Sequence, residues 1–283
     1  MISLLARKGL CALLCLAAGL AACSKDDDTP EGLLPPLVWP DDIAAAIPDP
    51  VFRTFCVELY DKDGDGRLSK EEVLAVTSIS NNSTRRIRSL EGIEFFGNLE
   101  KLYLGKCNFP SLDLRYNARL EKVRFYSYSP EMTCLRGPVG YAPLTIEFLF
   151  SCNLKELDLS GCGNVRELLT SAALLDEVTL TSVDLPDPSH LQYLNFAADN
   201  AACYDALLAR AVNLKELTCN FYPGTVLDLS GCPKLESLSI QTFDGAALAK
   251  IRLRKGLPQL RELSICDEKG RDCLHRIEIE YVE

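Results

Sequence analysis

The chain has 283 residues, with 30 Lys and Arg against 40 Asp and Glu and a formal net charge of −10. An acidic balance of this size argues against nucleic acid as a partner, because phosphates need a basic surface. Thirteen Cys would suit a disulfide framework, but several recur at equivalent places, as in Leu-Asp-Leu-Ser-Gly-Cys at 157–162 and again at 227–232. A repeated position implies a repeated environment, so buried thiols filling core slots are expected. No Cys-x-x-Cys occurs, so zinc and thioredoxin-like readings lack their ligand spacing.

Arg7 and Lys8 precede an uncharged, mostly apolar run from Gly9 to Leu20. Twelve residues are too few to span a bilayer as a helix, which takes roughly 20, but they suit a secretory signal. The run ends in Leu20-Ala21-Ala22-Cys23, which resembles the lipobox of bacterial lipoproteins. That resemblance implies a signal peptide over 1–22 and acylation of Cys23, which would hold a soluble domain on the membrane. Ser24-Lys25-Asp26-Asp27-Asp28 is similar to the acidic export signal of Bacteroidetes surface lipoproteins. It implies an outer-membrane lipoprotein facing the cell exterior. Without the signal the chain keeps 28 basic against 40 acidic residues. Residues 23–48 are rich in Pro and read as a stalk, with only Asp41–Ile47 able to turn helical.

Asp49-Pro50 reads as an N-cap followed by proline in the first helical position. Val51, Phe52, Phe55, Val57 and Leu59 give an apolar helix to Tyr60, and a second helix is expected from Ser69 to about Thr77. Between them lies Asp-Lys-Asp-Gly-Asp-Gly-Arg-Leu-Ser-Lys-Glu-Glu at 61–72. Asp61, Asp63 and Asp65 take loop positions 1, 3 and 5, and Gly66 the sharp turn at 6. The Arg67 carbonyl, Ser69 and Glu72 take positions 7, 9 and 12. This is the oxygen spacing that Ca2+ requires, and the loop resembles an EF-hand at every ligand position. No second such loop exists, and Asp267–Asp272 lacks the spacing. The hand over 49–80 must therefore pack against something other than a twin.

From Ile87 onward the chain repeats. Leu-x-x-Leu-x-Leu recurs as Leu99/Leu102/Leu104, Leu120/Val123/Phe125, Leu154/Leu157/Leu159, Leu175/Val178/Leu180 and Leu191/Leu194/Phe196. Further copies are Leu214/Leu217/Cys219, Leu235/Leu238/Ile240, Leu260/Leu263/Ile265 and Leu274/Ile277/Ile279. The starts are 14 to 34 residues apart, with a unit near 21–23 showing through. Echoes such as Leu112-Asp-Leu114 and Leu227-Asp-Leu229 fit the return side of each coil. One unit alone cannot bury its leucines, whereas stacked units share a continuous core. The fold class is α/β: a leucine-rich repeat solenoid over 87–283, with a curved parallel sheet and a small helix-loop-helix cap. The stretch at 87–99 resembles the opening repeat of internalin-like bacterial surface proteins, in which a helical cap seals the first coil. The pattern breaks around 126–150.

Only His190 and His275 exist, and no nucleophile motif, zinc helix or phosphate loop accompanies them. Catalysis is not expected: Asp184 and Asp187, the kind of acidic pair a glycosidase would use, fall in loops and read as solvated turns. In each strand the residues between the leucines face the concave side. Tyr103, Arg124, Tyr126, Asp158, Tyr193 and Asn195 are the candidate contact residues, since Tyr and Arg anchor interfaces. Lys101 adds charge, and Thr179, Thr218, Ser239 and Ser264 add small polar groups. The expected function is binding of a protein or glycan, with calcium bracing the cap. The alternative is a carbohydrate-capture or dockerin-like scaffold role through the calcium loop, against which the missing second loop counts.

Overall fold

A computed structural model describes residues 34–81, 87–105, 108–127, 129, 131–149, 153–170, 180–242, 248–256, 260–267 and 269–283. The signal segment, Cys23, the acidic run at 26–28, Leu175, Val178 and Thr179 lie outside the described residues.

The chain opens with three short helices: α1 (Ile43–Ala46), α2 (Pro50–Tyr60) and α3 (Lys70–Leu74). Asp49 caps α2 as its sequence implies, accepting from the Val51 and Phe52 amides at 2.8 and 2.9 Å through Oδ1. Its Oδ2 accepts from the Arg88 and Ser89 amides at 2.7 and 3.2 Å, so one carboxylate ties the helix to the first coil. The structured cap begins upstream of position 49, because Ile43 and Ile47 are fully buried. The exit helix stops at Leu74, short of Thr77, and the chain turns into a strand.

Sixteen strands follow among the described residues. The first are β1 (Ser78–Asn81), β2 (Lys101–Leu104), β3 (Ser111–Asp113) and β4 (Lys122–Phe125), then β5 (Cys134–Arg136), β6 (Leu144–Phe148), β7 (Glu156–Asp158) and β8 (Val165–Thr170). β9 (Ser182–Asp184) and β10 (Tyr193–Ala197) precede a helix, α4 (Ala201–Leu208). The rest are β11 (Glu216–Phe221), β12 (Val226–Asp228), β13 (Ser237–Thr242), β14 (Lys250–Arg254), β15 (Glu262–Asp267) and β16 (Glu278–Val282).

Nine strands form one long parallel sheet in the order β1-β2-β4-β6-β8-β10-β11-β13-β15. The return side carries β3-β5-β7-β9 and β12-β14-β16, with α4 packed between β9 and β12. This is a leucine-rich repeat solenoid. A single register line runs through Ile79, Leu102, Val123, Ile146, Leu168, Leu194, Leu217, Leu238 and Leu263. Successive members are 21 to 26 residues apart, and the first eight are no more than 2% exposed. Burying one such side chain contributes roughly 1.5–3 kcal/mol. One row over, the Phe125 and Phe148 rings stack with centroids 4.5 Å apart.

Two of the expected long-sheet copies belong elsewhere. Leu154/Leu157/Leu159 frames β7, and Leu274/Ile277/Ile279 runs into β16, both on the return side. Both flanks of a coil point alternate residues into one core, so a return strand obeys the same spacing. The stretch expected to break the pattern instead supplies β6 to the long sheet. Its first two inward residues, Leu144 and Ile146, are one position closer than elsewhere, and a register shift after Leu144 absorbs the difference. β1 adds a strand ahead of the first recognised repeat.

The Leu-Asp-Leu-Ser-Gly-Cys turns show why they recur. Asp158 Oδ1 accepts from the Ser160 amide and hydroxyl at 3.0 and 2.6 Å, and Asp228 repeats both bonds with Ser230. Cys162 and Cys232 are buried free thiols that donate to the carbonyls of Pro138 and Leu208 in the preceding coil. Burial pushes each thiol up to about 12. Cys56, Cys203, Cys219 and Cys273 are likewise buried thiols, whereas Cys134 is disulfide-bonded. A Cβ on Gly231 would lie 2.5 Å from the Ala209 carbonyl oxygen and 2.8 Å from that of Leu208. Backbone cannot yield as a side chain can, so Gly231→Ala should cost about 1–3 kcal/mol in urea unfolding. Gly256→Ala, with nothing within 4 Å, should cost only the strain of its φ of 75°.

Candidate functional site

Two places collect functional groups: the loop between α2 and α3, and the first coils of the long sheet.

In the loop, Gly64 and Gly66 adopt φ of 75° and 80°, which favours residues without a Cβ. Those turns bring one carboxylate oxygen from each of Asp61, Asp63 and Asp65 within 4.8 Å of one another. Asp61 accepts from the Gly64 and Gly66 amides at 2.7 and 2.8 Å. Asp63 and Asp65 accept from the amides of Asp65 and Arg67. Ser69 is the N-cap of α3 and forms a capping box with Glu72. The Glu72 carboxylate is turned onto the loop backbone, accepting from Ser69 N at 2.9 Å and Lys62 N at 2.7 Å. The Ser69 amide above all, then that of Lys62, holds this carboxyl at about 2. The donor set is all oxygen, and among the described residues no cation pairs with the three aspartates. It fits a hard divalent cation.

The loop's apolar residue, Leu68, is fully buried. Its carbonyl accepts from Ile43 N at 2.9 Å, and its amide donates to Asp42 Oδ1 at 3.2 Å. Residues 42–43 therefore bond the loop backbone, so the loop is braced by the chain upstream of it. Tyr60 meets Phe96 edge-on with centroids 5.9 Å apart, which joins α2 to the first coil.

On the long sheet, Tyr103, Arg124 and Glu147 share one register row in β2, β4 and β6. Arg124 Nε bonds Glu147 Oε2, and Lys122 Nζ lies 2.9 Å from Oε1. The Glu147 side chain is only 8% exposed. Burial raises its pKa, but the hydrogen bonds from Arg124 and Lys122 outweigh burial and the carboxyl ends below its ordinary value. Arg124 also lies over the Tyr126 ring at 5.6 Å, and the Tyr126 and Tyr103 rings are 6.1 Å apart. Two cations share one carboxylate, beside two tyrosines and the exposed Lys101. The patch keeps surplus positive charge next to aromatic faces.

The remaining candidates separate. Tyr193 lies in a row with Glu167 and Glu216. Asn195 lies between Leu169 and Thr218 and accepts from the Asn220 side chain. Asp158 does not join them: it sits in β7 on the return side, where its carboxylate holds the turn at Ser160. Glu147 and Lys122 were not among the expected contact residues. Glu147 was hidden because the repeat spacing fails in β6, whereas Lys122 sits at a regular position equivalent to Lys101 and could have been found. His190 and His275 lie in separate short 3-10 turns, Pro188–His190 and Leu274–Arg276.

No protein-family model matches the chain, and no curated protein matches it. Among solved structures it is similar to internalin C2 of Listeria monocytogenes, with 17% identity, a TM-score of 0.40, and coverage of 88% of this chain and 100% of that one. It is also similar to the functional domain of InlJ from Listeria monocytogenes, with 18% identity, a TM-score of 0.31, and coverage of 85% of this chain and 61% of that one. At that distance the solenoid is defined by the chain's own ladders. No helix among the described residues is long and apolar enough to cross a membrane.

Proposed function

We propose that this is a lipid-anchored bacterial surface protein whose long sheet binds another protein, with calcium bracing the cap. The observation that carries the binding reading is the row Tyr103, Arg124 and Glu147, flanked by Lys122 and Tyr126. This coil pair sets two adjoining tyrosines and two cations on one face. Tyr and Arg are the residues from which interface hot spots are built. Surface display is supported by the lipobox-like Leu20–Cys23 and the acidic run after it. Calcium is supported by the three converging carboxylates and the two left-handed glycines. Asp61, Asp63, Asp65, the Arg67 carbonyl, Ser69 and Glu72 would hold the ion. The loop is hydrogen-bonded to residues 42–43 and Tyr60 meets Phe96 of the first coil, which speaks for a brace over a separable dockerin-like module.

Capture of a partner from surface extracts by the purified protein tests the binding reading. Arg124→Ala and Tyr126→Ala are each expected to weaken it by about 2 kcal/mol or more. Ser160→Ala, on the return side, should leave it unchanged. Equal capture by all three variants would move recognition off this face.

A further inference from the structure

One edge of the return sheet stands unpaired among the described residues. Among the described residues, β16 is bonded to β14 on one side and to no strand on the other. One strand back, the inward residues Ile251 and Leu253 are fully buried. Their register partners Ile279 and Tyr281 are not: Ile279 is half-buried and Tyr281 is 62% exposed. On the long sheet the half-buried Leu263 likewise follows the fully buried Leu238. On the return side the apolar row is thus uncovered beyond β14, whereas next to Leu263 the long sheet's Ile265 is 2% exposed and its carbonyl accepts from Cys273 N.

The outward row carries alternating charge from strand to strand. Asp228 of β12 faces Arg252 of β14 at 3.9 Å, and Arg252 faces Glu280 of β16 at 2.9 Å. Lys250 lies 3.1 Å from Glu278 and 3.4 Å from Glu280. The ladder runs acidic, basic, acidic, and its last rung is Glu278 and Glu280, the former with a 66% exposed side chain. A second copy of the same edge would set like charges opposite each other, which is unfavourable. A cationic strand would continue the alternation.

We propose that the β16 edge receives an extended segment of a partner protein as the next strand, with Lys or Arg alternating with apolar residues. The cations would sit on Glu278 and Glu280, and the apolar residues would cover Ile279 and Tyr281. β14 shows the pattern that already fits the opposite side: Lys250-Ile251-Arg252-Leu253. Backbone geometry allows the addition. Glu278 N donates to the Ala249 carbonyl, and the Val282 carbonyl accepts from Lys255 N. Strand groups alternate sides, so the peptide groups of Ile279 and Tyr281 point away from β14. Strand addition of this kind takes affinity from the main chain and specificity from alternate side chains.

A labelled peptide with the sequence of residues 249–255 tests the proposal by fluorescence anisotropy against the full chain in mild detergent. Saturable binding is expected, about tenfold or more tighter than for the same peptide with its four basic residues replaced by Glu. Tyr281→Pro removes an outward amide without touching a bond to β14. It should lose about tenfold in affinity while keeping the far-UV spectrum and thermal midpoint. The double variant Glu278→Lys, Glu280→Lys should reverse the preference between the two peptides. Equal binding of both peptides, or undiminished binding to Tyr281→Pro, would reduce the effect to general charge attraction and overturn the proposal. Self-association of the protein that Tyr281→Pro abolishes would make a second copy the occupant, which overturns it equally.

Discussion

Leu217→Ala is expected to lower the stability of the solenoid by about 2–5 kcal/mol, the cost of opening a cavity in a core that cannot collapse around it. Leu217 is 1% exposed and lies between Leu194 and Leu238 on the central register line. Leu263→Ala, at the half-buried end of the same line, should cost only on the order of 1–2 kcal/mol, since solvent already reaches the site. In a stacked array each coil touches only its neighbours, so weakening β11 also loosens the coupling between the two halves. The chain reports this directly. Its one Trp, Trp39, packs against Phe95 of the first coil, with Lys70 of the cap over its ring at 4.3 Å. Fluorescence therefore follows the cap end, while far-UV circular dichroism follows all coils. In urea the dichroism transition of Leu217→Ala should precede the fluorescence transition. An unchanged midpoint by both probes would contradict the ladder described for β10, β11 and β13.

The parts of this fold legible in the sequence are those whose cause is local. Asp49-Pro50 caps a helix because an aspartate oxygen and a missing amide suit that position wherever it occurs. The turns at Gly64 and Gly66 could be read because only glycine takes that left-handed backbone at little cost. The repeats were legible as repeats, since Leu102, Val123, Leu194, Leu217 and Leu238 recur at one spacing. Which side of the coil each copy occupies was not, because Leu157 and Leu159 enter the same core from the return strand. The clue was present: Leu157-Asp-Leu-Ser-Gly-Cys162 matches Leu227-Asp-Leu-Ser-Gly-Cys232, itself correctly read as a return segment. Aligning those two would have moved Asp158 off the binding face. β1 stayed hidden because Ile79 and Asn81 are its only inward residues, too few to signal a strand. Glu147 could not be found from spacing at all, because its role depends on Lys122 and Arg124 arriving from a neighbouring strand.

Calcium should raise the thermal midpoint of the protein relative to chelator, and Asp61→Ala should erase that rise. The driving term is electrostatic: three carboxylate oxygens held within 4.8 Å of one another repel until a cation joins them. An affinity in the extracellular range, roughly 10⁻⁴ to 10⁻³ M, would give about 1.4–2.7 kcal/mol at about 10 mM calcium through mass action on the folded state. The gain reaches the solenoid because Leu68 is bonded to Ile43 and buried in the cap, and Tyr60 meets Phe96. Asp61 also accepts the Gly64 and Gly66 amides, so its removal should lower the midpoint in chelator as well. The deciding quantity is the difference between calcium and chelator within each variant. Glu72→Gln is a second test: its single amide oxygen can keep the bond from Ser69 or that from Lys62, which go to different carboxylate oxygens, and it cannot close the shell as a two-oxygen anion. Glu72 has its pKa lowered from 4.5 to about 2 in the folded chain. Its own contribution is therefore present above pH 4.5 and lost as pH falls toward 2, so the comparison belongs at neutral pH, where both states carry the charge. A calcium-dependent rise that survives in Asp61→Ala would place the ion elsewhere. No rise in the unaltered protein would leave the loop as a turn held by its own amides.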